Sequence, residues 1–264
     1  MEPGLKEKHD TWTIRGDRVQ FIGTPLLCAG HVHLHNRSTD EVRIKRIPIA
    51  GSKLTGPTDV PVSDLRTSAK LLPGSSLQAP CTLRLPPQTP PGRYRAELVV
   101  GGERKLVLVD VLESWDLAII PSALILKVHA GKPAVCTIQL TNLGNMSFTL
   151  PRGALVPLDE SGGVNRSIVL SLKDAKAARY EDVLNELVKH LQETEVEPAR
   201  VKIVSDRPVI APGETQDLKL EISFPAKLKR NRRYRGDIAF ENARLMLDIE
   251  VLDIASPAGK ESAA

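Results

Sequence analysis

Pro91-Gly92-Arg93-Tyr94-Arg95-Ala96-Glu97-Leu98 is a turn followed by a run in which polar and apolar side chains alternate. Alternation of this kind is typical of a half-buried β-strand. A similar run returns late in the chain as Arg232-Arg233-Tyr234-Arg235-Gly236-Asp237-Ile238, although Asn231-Arg232 stands there in place of the Pro-Gly turn. A strand that recurs with its tyrosine in the same place indicates an internal repeat.

Segments on either side of these strands match in the same order, so the repeat extends over most of the chain. Two copies of about a hundred residues each are the size of domains, and they are too few and too long for a solenoid of short repeats. The matched pairs are Thr11-Trp12-Thr13-Ile14 with Ser114-Trp115-Asp116-Leu117, His31–Asn36 with Thr137–Asn142, Pro73–Ser76 with Pro212–Thr215, and Val109–Glu113 with Ile249–Asp253.

Each copy contains roughly seven short alternating runs separated by Pro, Gly, Asn and Asp, the pattern of an antiparallel sandwich. The predicted fold class is therefore all-β, with two tandem antiparallel β-sandwiches and one inserted α-helix in the second. We predict a flexible tail over 1–10, a first domain over 11–113, a second domain over 114–255 and a flexible tail over 256–264.

The strand around Tyr94 resembles the penultimate strand of bacterial immunoglobulin-like and fibronectin type III-like domains. In those domains a tyrosine after a turn closes the corner with its hydroxyl group. Tyr234 keeps that position after a different turn. The resemblance covers nearly the whole chain and implies the fold alone, because this fold hosts many unrelated functions.

The second copy carries a segment without a counterpart in the first. From Lys173 to about Glu193, apolar residues recur at spacings of three and four, which predicts one amphipathic helix. Its apolar stripe either packs on a sheet of its own domain, the favoured interpretation, or docks into a partner's groove. The stripe consists of Tyr180, Val183, Leu184, Leu187, Val188 and Leu191.

The composition is that of a soluble globular protein, with 41% hydrophobic and 26% charged residues among 264. Aromatic residues make up only 3%, too few for a platform on which bases or sugars stack. The net charge of +4 is modest and argues against nucleic acid as a partner. The charged start of the chain and the lack of long apolar runs predict no secretory signal and no membrane span.

Three cysteines, Cys28, Cys81 and Cys136, make an odd number in a chain long enough to fold without disulfides. Each falls on the apolar side of an alternating run, so all three are predicted to be small buried side chains with reduced thiols. Reduced thiols indicate a cytoplasmic location.

His31, His33 and His35 occupy every second position of one predicted strand. Their imidazoles therefore leave the same face, about 7 Å apart, where zinc or copper would accept them as ligands. The alternative is an ordinary solvated face, and the second copy favours it because Thr137, Gln139 and Thr141 stand in the same places.

The sharpest concentration of charge lies in the turn before the second tyrosine strand. It packs six basic side chains into nine residues, and it would suit an acidic protein surface, RNA or an anionic membrane. A solvated loop is the alternative. This basic turn consists of Lys227, Lys229, Arg230, Arg232, Arg233 and Arg235.

Catalytic motifs such as a nucleophile elbow, a phosphate-binding loop or a CxxC pair do not occur in the sequence. We therefore predict a non-enzymatic protein–protein interaction module that acts as an accessory or scaffolding subunit and needs no cofactor. The alternatives are a metal-binding accessory protein that uses the three histidines and a cell-envelope or surface adhesion module.

Overall fold

The computed structural model describes residues 11–175 and 179–252. The two predicted tails, 1–10 and 256–264, lie outside the described residues, as do the last residues assigned to the second domain and residues 176–178 of the predicted helix. The chain divides into two compact units. The first contains the chain up to Asp116 with Asn142–Phe148 and Ala211–Gly213, and the second contains the remainder.

The first copy of the repeat is built from ten strands, two of them only two residues long. The strands are β1 (Trp12–Arg15), β2 (Arg18–Thr24), β3 (Leu27–Asn36), β4 (Val42–Ile47), β5 (Lys53–Leu54), β6 (Val60–Pro61), β7 (Leu65–Leu71), β8 (Ser76–Leu83), β9 (Gly92–Val100) and β10 (Glu103–Val111).

Eight of these strands form one continuous hydrogen-bonded sheet in the order β4-β7-β8-β3-β2-β10-β9, with β1 also paired to β3. The sheet is continuous because β2 pairs antiparallel with β3 and parallel with β10. The β5–β6 pair forms a separate two-stranded sheet. Side chains alternate between buried and exposed along the long strands, as the sequence pattern predicts.

The second copy has eleven strands and two helices. The strands are β11 (Leu117–Ile120), β12 (Ala123–Val128), β13 (Pro133–Asn142), β14 (Phe148–Thr149), β15 (Gly153–Val156), β16 (Asp159–Glu160), β17 (Ala199–Val204), β18 (Val209–Ile210), β19 (Thr215–Ser223), β20 (Arg233–Phe240) and β21 (Ala243–Val251). The helices are α1 (Gly163–Asp174) and α2 (Tyr180–Gln192).

Two main sheets, ordered β11-β13-β19-β17-β15 and β12-β21-β20-β16, make up this copy, with a small β14-β18 pair beside them. Strand β12 pairs in parallel with the last strand, β21, just as β2 pairs with β10 in the first copy. The copies thus share this parallel pairing as well as their sequence pattern, and the all-β prediction is confirmed.

Each copy closes a corner with a buried tyrosine. The Tyr94 hydroxyl donates a hydrogen bond to the carbonyl of Pro90 at 2.8 Å. The Tyr234 hydroxyl instead accepts a hydrogen bond from the backbone N–H of Lys229 at 3.0 Å. The corner implied by the resemblance is therefore present in both copies, and the changed turn alters the hydrogen bond that the tyrosine makes.

The tryptophans that open the two copies are not equivalent. Trp12 is buried in the core of the first unit, whereas Trp115 remains 44% exposed. By contrast, Asn36 and Asn142 hold the same place at the ends of β3 and β13, and both are buried. Their side-chain amides donate to backbone carbonyls four residues on, those of Asp40 and Met146.

The prediction of a single helix from Lys173 to about Glu193 is wrong, because this segment contains the end of α1 and a separate helix, α2. Lys173 and Asp174 end α1, and the apolar stripe begins only with α2 at Tyr180. The sequence conceals α1 because β-branched residues such as Val164, Ile168 and Val169 lower helix propensity and suggest a strand. Within the described residues, neither helix is long and apolar enough to span a membrane.

Candidate functional site

Helices α1 and α2 form a helical hairpin that occupies the chain between β16 and β17. They run antiparallel, since the start of α1 lies beside the end of α2: a Cβ on Gly163 would lie 3.3 Å from the side chain of Thr194. The Ser167 hydroxyl donates to the carbonyl of His190 at 3.1 Å. The helices pack principally on each other.

Small side chains line the contact between the two helices. Gly163, Ser167 and Ser171 recur every four residues along α1 and are its buried residues. The Ser171 hydroxyl donates to the Ser167 carbonyl at 2.6 Å, so this polar group is satisfied within the helix. Because the buried row of α1 is small and polar, its large apolar residues are left to point elsewhere.

Besides Val169, five large apolar residues of the hairpin are between 39% and 63% exposed. Contiguous exposed apolar surface is characteristic of an interaction site, whereas single exposed apolar residues are ordinary. We define the apolar face of the hairpin as Val164, Ile168, Leu172, Leu184 and Val188.

Helix geometry places these five residues on one side. Ile168 follows Ser167, which faces α2, and Val188 follows Leu187, which is half-buried on the other helix. A step of one residue turns the side chain by about 100° around the axis. When two helices pack antiparallel, the residue that follows a contact residue points to the same side of the pair on both helices. The exposed apolar row of α1 therefore lies next to the exposed apolar row of α2.

Burial of the predicted stripe on its own sheet, the favoured sequence interpretation, is wrong. Tyr180, Leu184 and Val188 are exposed, and Val183, Leu187 and Leu191 are only half-buried. The physical reason is that α2 covers its stripe with α1 instead of with a sheet, and a neighbouring helix is too narrow to cover the whole stripe.

A buried carboxylate joins the hairpin to the sheet beneath it. Glu160, at the end of β16, is contacted by both terminal nitrogens of the Arg166 guanidinium, one of them at 2.7 Å. Arg232 approaches the same carboxylate at 3.5 Å. The Arg166 hydrogen bonds hold the pKa of Glu160 below its usual range, with a smaller contribution from the charge of Arg232.

The basic turn lies at this base of the hairpin, and all six of its basic side chains are exposed. The Lys229 ammonium donates to the carbonyl of Glu193 at 2.9 Å, just beyond the C-terminus of α2. Lys227 reaches Glu197 at 3.9 Å. The structure thus brings two separately predicted features together, and part of the turn anchors the hairpin, a role that the sequence did not reveal.

A cluster of ionisable side chains lies elsewhere on the hairpin. The Nε2 atom of His190 lies 3.0 Å from Asp174 Oδ2 and 4.0 Å from Glu186 Oε2, while Nδ1 lies 3.6 Å from Glu193 Oε2. We refer to these four residues as the His190 cluster. The sequence analysis missed it, although Glu186 and His190 have the four-residue spacing of a helix face.

His31, His33 and His35 leave the same side of β3, as their spacing predicts, with His31 and His33 exposed. His35 Nδ1 lies 3.0 Å from the Ser76 hydroxyl and 3.4 Å from the Arg15 guanidinium. Among the described residues, the sole group of three or more potential metal ligands whose ligand atoms all lie within 4.8 Å of one another belongs to the His190 cluster. A metal site on β3 stays a prediction.

No protein-family model matches the chain, and no curated protein matches it. Solved structures do match. A chain from Dpr11 IG1 bound to DIP-gamma IG+IG2 is 10% identical, covers 92% of this chain and 99% of its own, and has a TM-score of 0.30. The CupB2 chaperone of Pseudomonas aeruginosa is 11% identical over 89% of this chain and 98% of its own, with a TM-score of 0.23.

The titin domains z1z2, solved in complex with telethonin, are 11% identical over 92% of this chain and 96% of their own, with a TM-score of 0.24. The fold is identified by the strand pairing and the tyrosine corners of the chain itself. The fold of both copies resembles that of immunoglobulin-like β-sandwiches.

Proposed function

We propose that this protein is a non-enzymatic protein–protein interaction module, an accessory or scaffolding subunit of a larger assembly. The apolar face of the helical hairpin carries the proposal. A contiguous apolar surface is unfavourably exposed to water in the free protein. Burying it against a partner would gain roughly 25 cal/mol per Å² of apolar surface.

The positive charge at the base of the hairpin supports a partner with an acidic surface. The basic turn lies at the base of the hairpin, and its Lys227 and Arg230 side chains are exposed. We propose a partner protein whose apolar surface covers the hairpin and whose acidic rim meets the basic turn. Apolar burial would supply most of the affinity, and the charges would act mainly on orientation and association rate.

The test is affinity purification of the full-length chain from its native source, with partners identified by mass spectrometry. Leu172→Glu combined with Val188→Glu places two charges in the apolar face, whereas Ile125→Glu places one on the exposed outer side of β12 as a matched control. The amount of partner that co-purifies should fall at least about tenfold for the hairpin variant and should stay at the wild-type level for the control.

A second variant, Lys227→Glu with Arg230→Glu, tests the acidic rim and should slow association most at low salt. The proposal would be contradicted if the wild type, the apolar-face variant and the basic-turn variant all retained the same partners. A strictly monomeric protein that has no stable partner under these conditions would contradict it as well.

We also propose a cytoplasmic location, supported by three cysteines that are all free in the structure. Cys28 and Cys81 are buried within the first unit, and Cys136 is partly buried. Buried apolar thiols of this kind are compatible with a reducing compartment.

A further inference from the structure

Residue His190 is 8% exposed, and its imidazole lies among three carboxylates. Its Nδ1 atom is buried and has no hydrogen-bond partner. Lys189 supplies a nearby positive charge, 3.1 Å from Glu186 Oε2. Three carboxylates and one ammonium group leave an excess of negative charge around the ring.

We propose that Asp174, Glu186 and His190 bind a divalent transition-metal ion of the zinc type. Their ligand atoms all lie within 4.8 Å of one another. Ligand atoms that bind a tetrahedral ion at about 2.1 Å are about 3.4 Å apart, so small side-chain movements would close the site. One imidazole and two carboxylates form a ligand set that zinc and similar ions accept.

Glu193 lies beside Nδ1, the ring nitrogen of His190 that would not bind the metal. A histidine that binds a metal through one nitrogen usually donates its other N–H to a carboxylate, which fixes the tautomer and the ring orientation. Glu193 Oε2 lies 3.6 Å from Nδ1, slightly longer than a hydrogen bond. A proton on Nδ1 directed at Glu193 leaves the Nε2 lone pair free for the ion.

The proposed ion would link the two helices of the hairpin. Asp174 ends α1, whereas Glu186 and His190 lie one turn apart on α2. The Asp174 side chain is about half exposed, so water has access to the remaining coordination positions. Metal binding is therefore expected to stabilise the packing of α1 on α2, because the ion binds the folded arrangement in preference to the unfolded chain.

An imidazole that only makes polar contacts with its carboxylates is the competing explanation for the same geometry. The two explanations differ in one measurable respect. A cluster that makes only polar contacts takes up no zinc, whereas the proposed site binds one zinc ion at neutral pH.

Isothermal titration calorimetry of the full-length protein with zinc chloride tests the proposal. The wild type should bind one ion, and both Asp174→Asn and His190→Gln should weaken that binding by at least about tenfold. The matched control replaces His31, His33 and His35 together by Gln, and it should retain wild-type affinity. Glu193→Gln, which removes the supporting carboxylate, should weaken binding about tenfold.

Circular dichroism checks the fold of each variant, and Asp174→Asn keeps the test valid if His190→Gln is misfolded, because Asp174 is exposed. Zinc should also raise the melting temperature of the wild type and of the triple-histidine control but not of Asp174→Asn. The proposal is overturned if the wild type binds no zinc, if Asp174→Asn binds as tightly as the wild type, or if the triple-histidine control alone loses binding.

Discussion

Glu160 is the residue on which the attachment of the hairpin depends. Its carboxylate is almost fully buried and receives Arg166 from α1 and Arg232 from the basic turn. Burying a carboxylate is costly unless charged partners satisfy it, so the three side chains depend on one another. No alternating or helical pattern marks such a residue in the sequence, because its importance comes from partners that the fold brings to it.

Glu160→Gln should lower the free energy of unfolding by about 2 kcal/mol at pH 7, since it weakens charge-assisted hydrogen bonds and leaves Arg166 without its counter-ion. The pKa of Glu160 is lowered in the folded protein. Its contribution is therefore present above the ordinary glutamate pKa of about 4.3 and is lost as the pH falls through the lowered folded value.

Urea unfolding of the wild type and Glu160→Gln at pH 7 and at pH 3 measures this effect. The difference between the two proteins should shrink at pH 3. Glu195→Gln, an exposed residue beyond α2, is the control and should change stability by less than about 0.5 kcal/mol. Equal stability of Glu160→Gln and the wild type at pH 7 would show that the ion pairs do not hold the hairpin.

At the scale of elements, the helical hairpin is a self-contained insertion. Its ends lie together, because a Cβ on Gly163 would lie 3.3 Å from both the Glu160 and the Thr194 side chains. A short Gly-Ser linker that replaces residues 164–193 can therefore join Gly163 to Thr194 without moving the strands on either side. Both sheets of the second copy would keep their strand pairing.

We expect this deletion to leave a cooperatively folded protein that has lost its helical circular dichroism signal. Its stability should fall by about 2 kcal/mol, the same loss as for Glu160→Gln, because the Arg166 interaction is the main one removed. Thermal and urea unfolding measure the change. A deletion variant that is unfolded would show that the hairpin is part of the sandwich core.

The strands could be predicted from the sequence because burial alternates along them, as β3 and β9 show. The hairpin could be predicted only in part. The α2 stripe has a helical period, but α1 buries Gly163, Ser167 and Ser171 and exposes its apolar residues, which reverses the usual signal. The His190 cluster was out of reach because Asp174 joins it only when the second helix folds back on the first.

At the scale of the whole molecule, the state of the three thiols tests the proposed cytoplasmic location. Burial raises the pKa of the Cys28 thiol to about 11 and also raises the pKa of Cys81 and Cys136. The reactive thiolate is therefore scarce at neutral pH in all three. Raised pKa values and full or partial burial therefore predict slow thiol chemistry at all three positions.

Protein taken from its native source under an alkylating quench should contain three free thiols once it is denatured. In the native state labelling should be slow, with Cys136 reacting first because it is partly exposed while Cys28 and Cys81 are buried. Mass spectrometry of the labelled peptides measures the order. A disulfide in the isolated protein, or rapid native labelling of Cys28, would contradict the cytoplasmic proposal.

The closeness of Glu160, Gly163 and Thr194 also bears on how this protein can change over evolutionary time. An insertion whose ends lie close together can be acquired, lengthened or replaced in one event. The strands and core residues that specify the sandwich fold are unchanged by such an event. Its outward side chains are then constrained by whatever they touch in the cell and little by the host. Orthologues with the same partner should therefore keep those positions apolar, whereas orthologues that lack the partner should drift there towards polar residues or lose the hairpin altogether.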